Sequence, residues 1–312
     1  MSKGKRLRQY YDLGSVVDMP VVVVMCSVVG RVVHNVLLLV RHQGGYMPTF
    51  DIVDGMALFY NDEGQGEPVL LVHGFPLSSE LYKPQRAALA HRYRVITPDL
   101  RAMGRSDVPT DGVYSMDVYA DDLVALLDHL GISMITVGGL SMGGYIVFAL
   151  MRRHPERIKG VILMDTKAGA DTEEGRAGRR KMAEQARAEG AAAVAEVMLP
   201  KMLTERTRTE QPELAAFMRD MMAATPVEGL VGALDALANR PDSTDTLAQI
   251  QVPTLVIVGS EDTLTPPSEA EKIAAGIRGA QLVVVENAAH AANVERPDQV
   301  NEALEAFLDR LG

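Results

Sequence analysis

Short apolar runs alternate with helix-length stretches along most of the chain. Those near residues 68–73, 93–97, 134–137, 160–165, 253–259 and 281–285 have the length and composition of buried strands. This rhythm predicts an α/β fold, a mostly parallel, doubly wound sheet with helices on both faces. Ahead of it, Phe50 to Val53 and Met56 to Tyr60 flank Asp54-Gly55, a two-residue hairpin signal at an antiparallel sheet edge.

The rhythm breaks in two places. Between Asp165 and Pro253, residues 170–245 are rich in alanine, arginine, glutamate and methionine without a convincing strand, which predicts a helical insertion. Met182, Met198, Met202, Leu203, Phe217, Met218, Met221 and Met222 within it could form an adaptable apolar wall for a ligand. Met198 and Met222 are the pocket candidates, and the plainer account of each is helix packing. The charges from Glu173 to Arg187 read most simply as a solvated helix face.

The other break is at the start. Lys3, Lys5, Arg6 and Arg8 precede an apolar stretch from Val16 to Val40, in the manner of an export signal or membrane anchor. Asp18, Pro20, Arg31 and His34 interrupt it, leaving Met19 to Gly30 uncharged, short of the ~20 residues that span a bilayer. Residues 1–48 are therefore expected to be an upstream extension, with an extra structural segment as one alternative, and the core at 49–169 and 246–312 around the 170–245 insertion. A cytoplasmic protein without a membrane partner is expected, export or anchoring through the apolar stretch being the alternative.

Candidate chemistry sits where strands end, the place at which open α/β sheets bind ligands. Gly139-Leu140-Ser141-Met142-Gly143 joins the strand Met134–Val137 to a helix that ends before His154-Pro155. A serine in such a strand-to-helix turn has a strained backbone and a hydroxyl lifted clear of the sheet, and the flanking glycines let the turn close. In this elbow architecture the acid and the histidine follow the serine. Five of the seven histidines precede Ser141 and His154 closes the elbow helix, so His290, in the loop after Leu282–Val285, is the candidate base. Asp262, leaving the strand Pro253–Gly259, is the favoured partner for its ring N–H. Asp165 is the alternative position, and Glu261 would point away if Asp262 points in. The backbone N–H groups of Phe75, in the loop His73-Gly74-Phe75-Pro76, and of Met142 are the expected oxyanion donors. His73 is expected to brace that loop.

Taken together, His73–Pro76, Pro98-Asp99-Leu100-Arg101-Ala102-Met103-Gly104-Arg105-Ser106, the elbow, Gly259–Asp262 and His290 resemble the α/β-hydrolase family over about residues 50 to 312. The resemblance implies the α/β-hydrolase fold, with the insertion as a lid, and hydrolysis of small carboxylic esters through an acyl-enzyme on Ser141. It is similar to bacterial carboxylesterases, enol-lactonases of the 3-oxoadipate type and cofactor-free haloperoxidases or perhydrolases. Lactone hydrolysis and perhydrolysis are thus rival activities. Ala102 stands where the family usually has glycine. A serine nucleophile sets the chain apart from haloalkane dehalogenases and epoxide hydrolases, and Leu140 from carbon–carbon bond hydrolases, which often carry asparagine there.

Composition adds a few bounds. The 312 residues, 47% of them hydrophobic, can bury a full core. A net charge of −10 argues against a nucleic-acid partner. The single cysteine, Cys26, excludes an internal disulfide framework, and no phosphate loop, dinucleotide fingerprint or paired metal-ligand histidines are present. No cofactor and no metal are expected; the partner is a small-molecule ester. A non-catalytic small-molecule receptor on the same fold is the reading from a different class.

Overall fold

The computed structural model describes residues 21–25, 36–42, 45–52 and 56–311. Among them, ten strands form one sheet in the order β1-β2-β3-β4-β6-β5-β7-β8-β9-β10. The parallel part comprises β5 (Pro68–Val72), β6 (Arg94–Pro98), β7 (Ile135–Leu140), β8 (Ile158–Met164), β9 (Thr254–Gly259) and β10 (Gln281–Val285). Helices separate these strands in sequence, as the alternating pattern requires. Val69 to Val72 and all of β7 are buried, because a parallel sheet is covered on both faces. The helix Met142–Arg153 buries its first ten residues, which its nearly unbroken apolar sequence favours.

The hairpin expectation holds for its two strands. β3 (Gly45–Ile52) pairs antiparallel with β4 (Met56–Glu63), with Phe50 opposite Leu58; its turn, 53–55, lies outside the described residues. β3 is fastened to the core by Phe50, whose ring stacks on His129 at 4.5 Å.

Two further strands lie within residues 1–48. β1 (Val21–Met25) and β2 (Val36–His42) lie inside the stretch expected to be an extension, yet both join the sheet. β1 pairs with β2, and β2 pairs with β3 from Leu39 opposite Pro48 to His42 opposite Gly45. A core beginning at residue 49 would divide β3. Valine- and leucine-rich runs such as Val21–Val24 and Val36–Val40 suit a pleated surface. The basic start and Cys26 lie outside the described residues. No single described helix is long and apolar enough to cross a membrane.

The 170–245 insertion is helical throughout its ordered elements: Glu173–Glu189, Ala191–Met202, Glu205–Glu210, Pro212–Ala223 and Val227–Asn239, followed by Thr244–Leu247. It is bonded to the loops at the carboxyl ends of the strands. Thr225 donates its hydroxyl to Pro76 O, Ala291 N–H reaches Met202 O at 2.9 Å, and Ser243 N–H reaches Ala168 O at 2.9 Å.

Candidate active site

Ser141 caps the helix Met142–Arg153 with φ 55° and ψ −113°, a left-handed backbone that costs a non-glycine residue on the order of 1–3 kcal/mol. The surrounding structure holds it there. Ser141 N–H donates to Met164 O at 2.9 Å, while Ser141 O accepts from Gly144 N–H and from the Thr166 hydroxyl at 2.8 Å. The elbow glycines are required by close approach: a Cβ at Gly139 would lie 2.2 Å from the Gly143 carbonyl carbon, and one at Gly143 would lie 2.1 Å from Val72 O.

The loop after β5 packs directly on this turn, since a Cβ on Gly74 would come within 3.0 Å of Ser141 Cβ. Phe75 and Met142 both line the cavity that holds Ser141. Neither backbone N–H is engaged by an acceptor among the described residues. His73 is fully buried; its Nδ1 donates to Gly74 O and its Nε2 accepts Leu100 N–H at 3.0 Å. Burial holds its pKa below the usual histidine value, consistent with a neutral brace.

His290 comes from the loop after β10. Its ring is 1% exposed, and its Nδ1 lies 2.8 Å from Asp262 Oδ2. Nε2 has no hydrogen-bond partner among the described residues, and the ring lines the cavity with Ser141. Asp262 leaves the end of β9. Its Oδ1 accepts Leu264 and Thr265 N–H, and its Oδ2 accepts the Thr265 hydroxyl at 2.7 Å as well as the imidazole. Burial alone would raise its pKa, but His290 and these donors outweigh burial and hold it below the usual carboxylate range.

The alternative acid, Asp165, makes no hydrogen bond or ion pair with His290. Its Oδ1 accepts Gly259 N–H at 2.8 Å, a bond that ties the end of β8 to that of β9, and Ala292 N–H also favours the charged carboxylate. Burial, reinforced by the charge of Asp262, raises its pKa well above the ordinary carboxylate value. The two candidates thus differ physically: hydrogen-bond donors hold Asp262 below the usual carboxylate range, and burial holds Asp165 above it.

The cavity, about 360 Å³, lies between the strand ends and the inserted helices. Met198 and Met182 line it. Met222 does not. It is fully buried on Pro212–Ala223, where Ala215, Met218 and Met222 recur at helical spacing and form that helix's inward face. The wall is also less apolar than the methionine content suggests, because Lys167, Asp171, Arg179 and Lys201 line the cavity too.

Two groups escape sequence reasoning. Asp171 receives Lys167 at 3.3 Å, Arg179 at 3.2 Å and Arg240 at 2.9 Å. Burial would raise its pKa, but Arg240 and Arg179 outweigh this and hold it far below the usual range. Of these pairs, only Lys167 and Asp171, four residues apart, carried a local signal. Glu295, 3% exposed, accepts Thr204 N–H and hydroxyl on Oε1 and Ala289 N–H on Oε2, which joins the insertion to the histidine loop. Among the described residues, no group of three or more histidine, cysteine, aspartate or glutamate side chains could hold a metal ion.

Comparison with known proteins agrees with this architecture. The family model for the alpha/beta hydrolase fold matches residues 67–297. A thermophilic esterase from Thermogutta terrifontis, solved with malate bound, is 42% identical with a TM-score of 0.82, covering 85% of this chain and 98% of its own. The chain is 32% identical to 3-oxoadipate enol-lactonase 2 of Acinetobacter baylyi, over 85% of this chain and 99% of the relative. It is 30% identical to a non-heme chloroperoxidase of Kitasatospora aureofaciens, over 78% and 92% respectively. With an α/β sheet ending in this elbow, a family match over most of its length and hydrolases among its relatives, the chain belongs to the α/β-hydrolase family.

Proposed function

We propose that the chain hydrolyses carboxylic esters of small molecules through an acyl-enzyme on Ser141. The observation that carries this reading is one cavity holding a serine in a strained elbow and a buried imidazole whose Nδ1 is engaged by Asp262 and whose Nε2 is unpartnered among the described residues. His290 Nε2 takes the serine proton as Oγ attacks the ester carbonyl. The N–H groups of Phe75 and Met142 receive the oxyanion, and His290 returns the proton to the leaving alcohol. Water then enters, loses a proton to His290 and frees the acid. Asp262 fixes the tautomer and stabilises the imidazolium. The inserted helices act as the lid.

A lactone is an internal ester and needs the same groups, so the enol-lactonase relative supports lactone hydrolysis as a second reading. The test is turnover of short 4-nitrophenyl esters by wild type, Ser141→Ala and His290→Ala. Each substitution should lower kcat by ~10⁶, because attack and proton transfer act as one unit. A Ser141→Ala protein that retains more than a few per cent of wild-type activity overturns the assignment.

A further inference from the structure

The cavity beside Ser141 has an excess of positive charge that ester hydrolysis alone does not call for. Lys167, Arg179 and Lys201 line it, whereas Asp171 is the sole aspartate or glutamate among the lining residues. That carboxylate is already shared by Lys167, Arg179 and the buried Arg240. Arg240 alone would fasten the 169–171 loop, since it also donates to Gly169 O and Leu237 O. Arg179 reaches Asp171 through Nε, and its two terminal nitrogens make no hydrogen bond to the described residues. Lys201 has no ion-pair partner among them, and it stands one turn beyond Met198 on the helix Ala191–Met202, so both face the cavity. All this lies in a chain of net charge −10, whose overall field would otherwise disfavour an anion.

We propose that Lys201, Arg179 and Lys167 form a carboxylate subsite, so that the esters or lactones cleaved at Ser141 carry a second, anionic group. This rests on the ester-hydrolase reading. Arg179 offers the guanidinium nitrogens that Asp171 leaves unengaged to a carboxylate, and Lys201 adds a point charge from the helix Ala191–Met202. Met182 and Met198 contact the short carbon chain between the two ends, in a cavity whose volume suits a small acid rather than a long lipid tail.

The experiment compares kcat/KM for two anionic esters, mono(4-nitrophenyl) glutarate and 4-acetoxybenzoate, with their methyl-capped counterparts at low salt. One carries the carboxylate on the acyl side and the other on the leaving group. At least one should exceed its capped form by about tenfold, the effect of one charge-assisted hydrogen bond. Lys201→Gln should bring that ratio to within about twofold, Lys201→Arg should largely restore it, and 0.5 M salt should reduce it. In parallel, glutarate is titrated calorimetrically into Ser141→Ala, and binding should weaken in Ser141→Ala/Lys201→Gln. Equal or poorer turnover of both anionic esters overturns the subsite. If no ester of either kind is turned over, the hydrolase reading fails, and glutarate titration alone decides the subsite. Heat from inorganic phosphate with none from glutarate also overturns it.

Discussion

Replacing Glu295 by alanine tests how the helical insertion is fastened to the loop that carries His290. The carboxylate accepts three hydrogen bonds in a buried setting, from Thr204 N–H at 2.9 Å, Thr204 hydroxyl at 2.8 Å and Ala289 N–H at 2.6 Å. A hydrogen bond to a charged group contributes about 2 kcal/mol, and stranded donors in a buried site cost a similar amount. Three such bonds would sum to about 6 kcal/mol, but they share one acceptor group and are not additive, so a loss of about 4 kcal/mol is expected. Glu295→Gln should cost about half as much, because its amide oxygen can still serve the Thr204 pair while its NH2 faces Ala289 N–H. Ala289 precedes His290, so the alanine variant should also lower kcat by about 10- to 100-fold through misplacement of the imidazole. Urea unfolding at pH 7 with ester turnover on the folded protein checks both effects. A Glu295→Ala protein within about 1 kcal/mol of wild type and with unchanged kcat would refute the reasoning.

Asp262→Asn should lower kcat by about 10⁴, whereas Asp165→Asn should retain most activity; the reverse result, in ester turnover, would reassign the acid. Stability should separate the same residues by pH. Asp262 is held below its ordinary pKa, so its contribution is present above about pH 4 and is lost as pH falls through the lower folded value. Asp165 is raised, so the wild type pays an increasing cost as pH rises above about 4, and the Tm difference between Asp165→Asn and wild type should grow from pH 4 to pH 7. At Ala102, φ 57° costs about 1–2 kcal/mol. Relief of that strain in Ala102→Gly is offset by a lost buried methyl, about 0.8 kcal/mol, and by chain entropy, so thermal unfolding should show a change within about 1 kcal/mol. Ala102→Val should destabilise by more than about 2 kcal/mol, because a β-branched residue fits this backbone poorly and the 227–239 helix leaves no room: a Cβ on Gly229 would already lie 2.9 Å from Ala102 Cβ.

The elbow, Asp262 and His290 were legible because each depends on a local pattern, a strand end followed by a particular residue type, together with chain order. Asp165 also follows a buried strand, so the sequence favours Asp262 without excluding Asp165, and only tertiary structure shows which carboxyl reaches the imidazole. Val21–Met25 and Val36–His42 were hidden as strands because flanking charges and a proline make the whole stretch resemble a broken signal segment. Met198 and Met222 look alike in sequence, and the helix face presented to the cavity distinguishes them. The cationic wall was missed for a related reason: Lys167, Arg179 and Lys201 lie far apart in sequence, and on an arginine-rich helix a charge aimed inward has the same spacing as one in solvent.

The most direct test of the central claim is where a fluorophosphonate becomes attached. Intact mass and peptide mapping after treatment of the wild-type protein should show one covalent adduct, on the peptide containing Ser141. Labelling should be largely lost in His290→Ala, where the hydroxyl keeps its proton, and competed by a short ester substrate. A protein that turns esters over while Ser141 stays unlabelled, or that is labelled at another residue in step with loss of activity, would contradict the account.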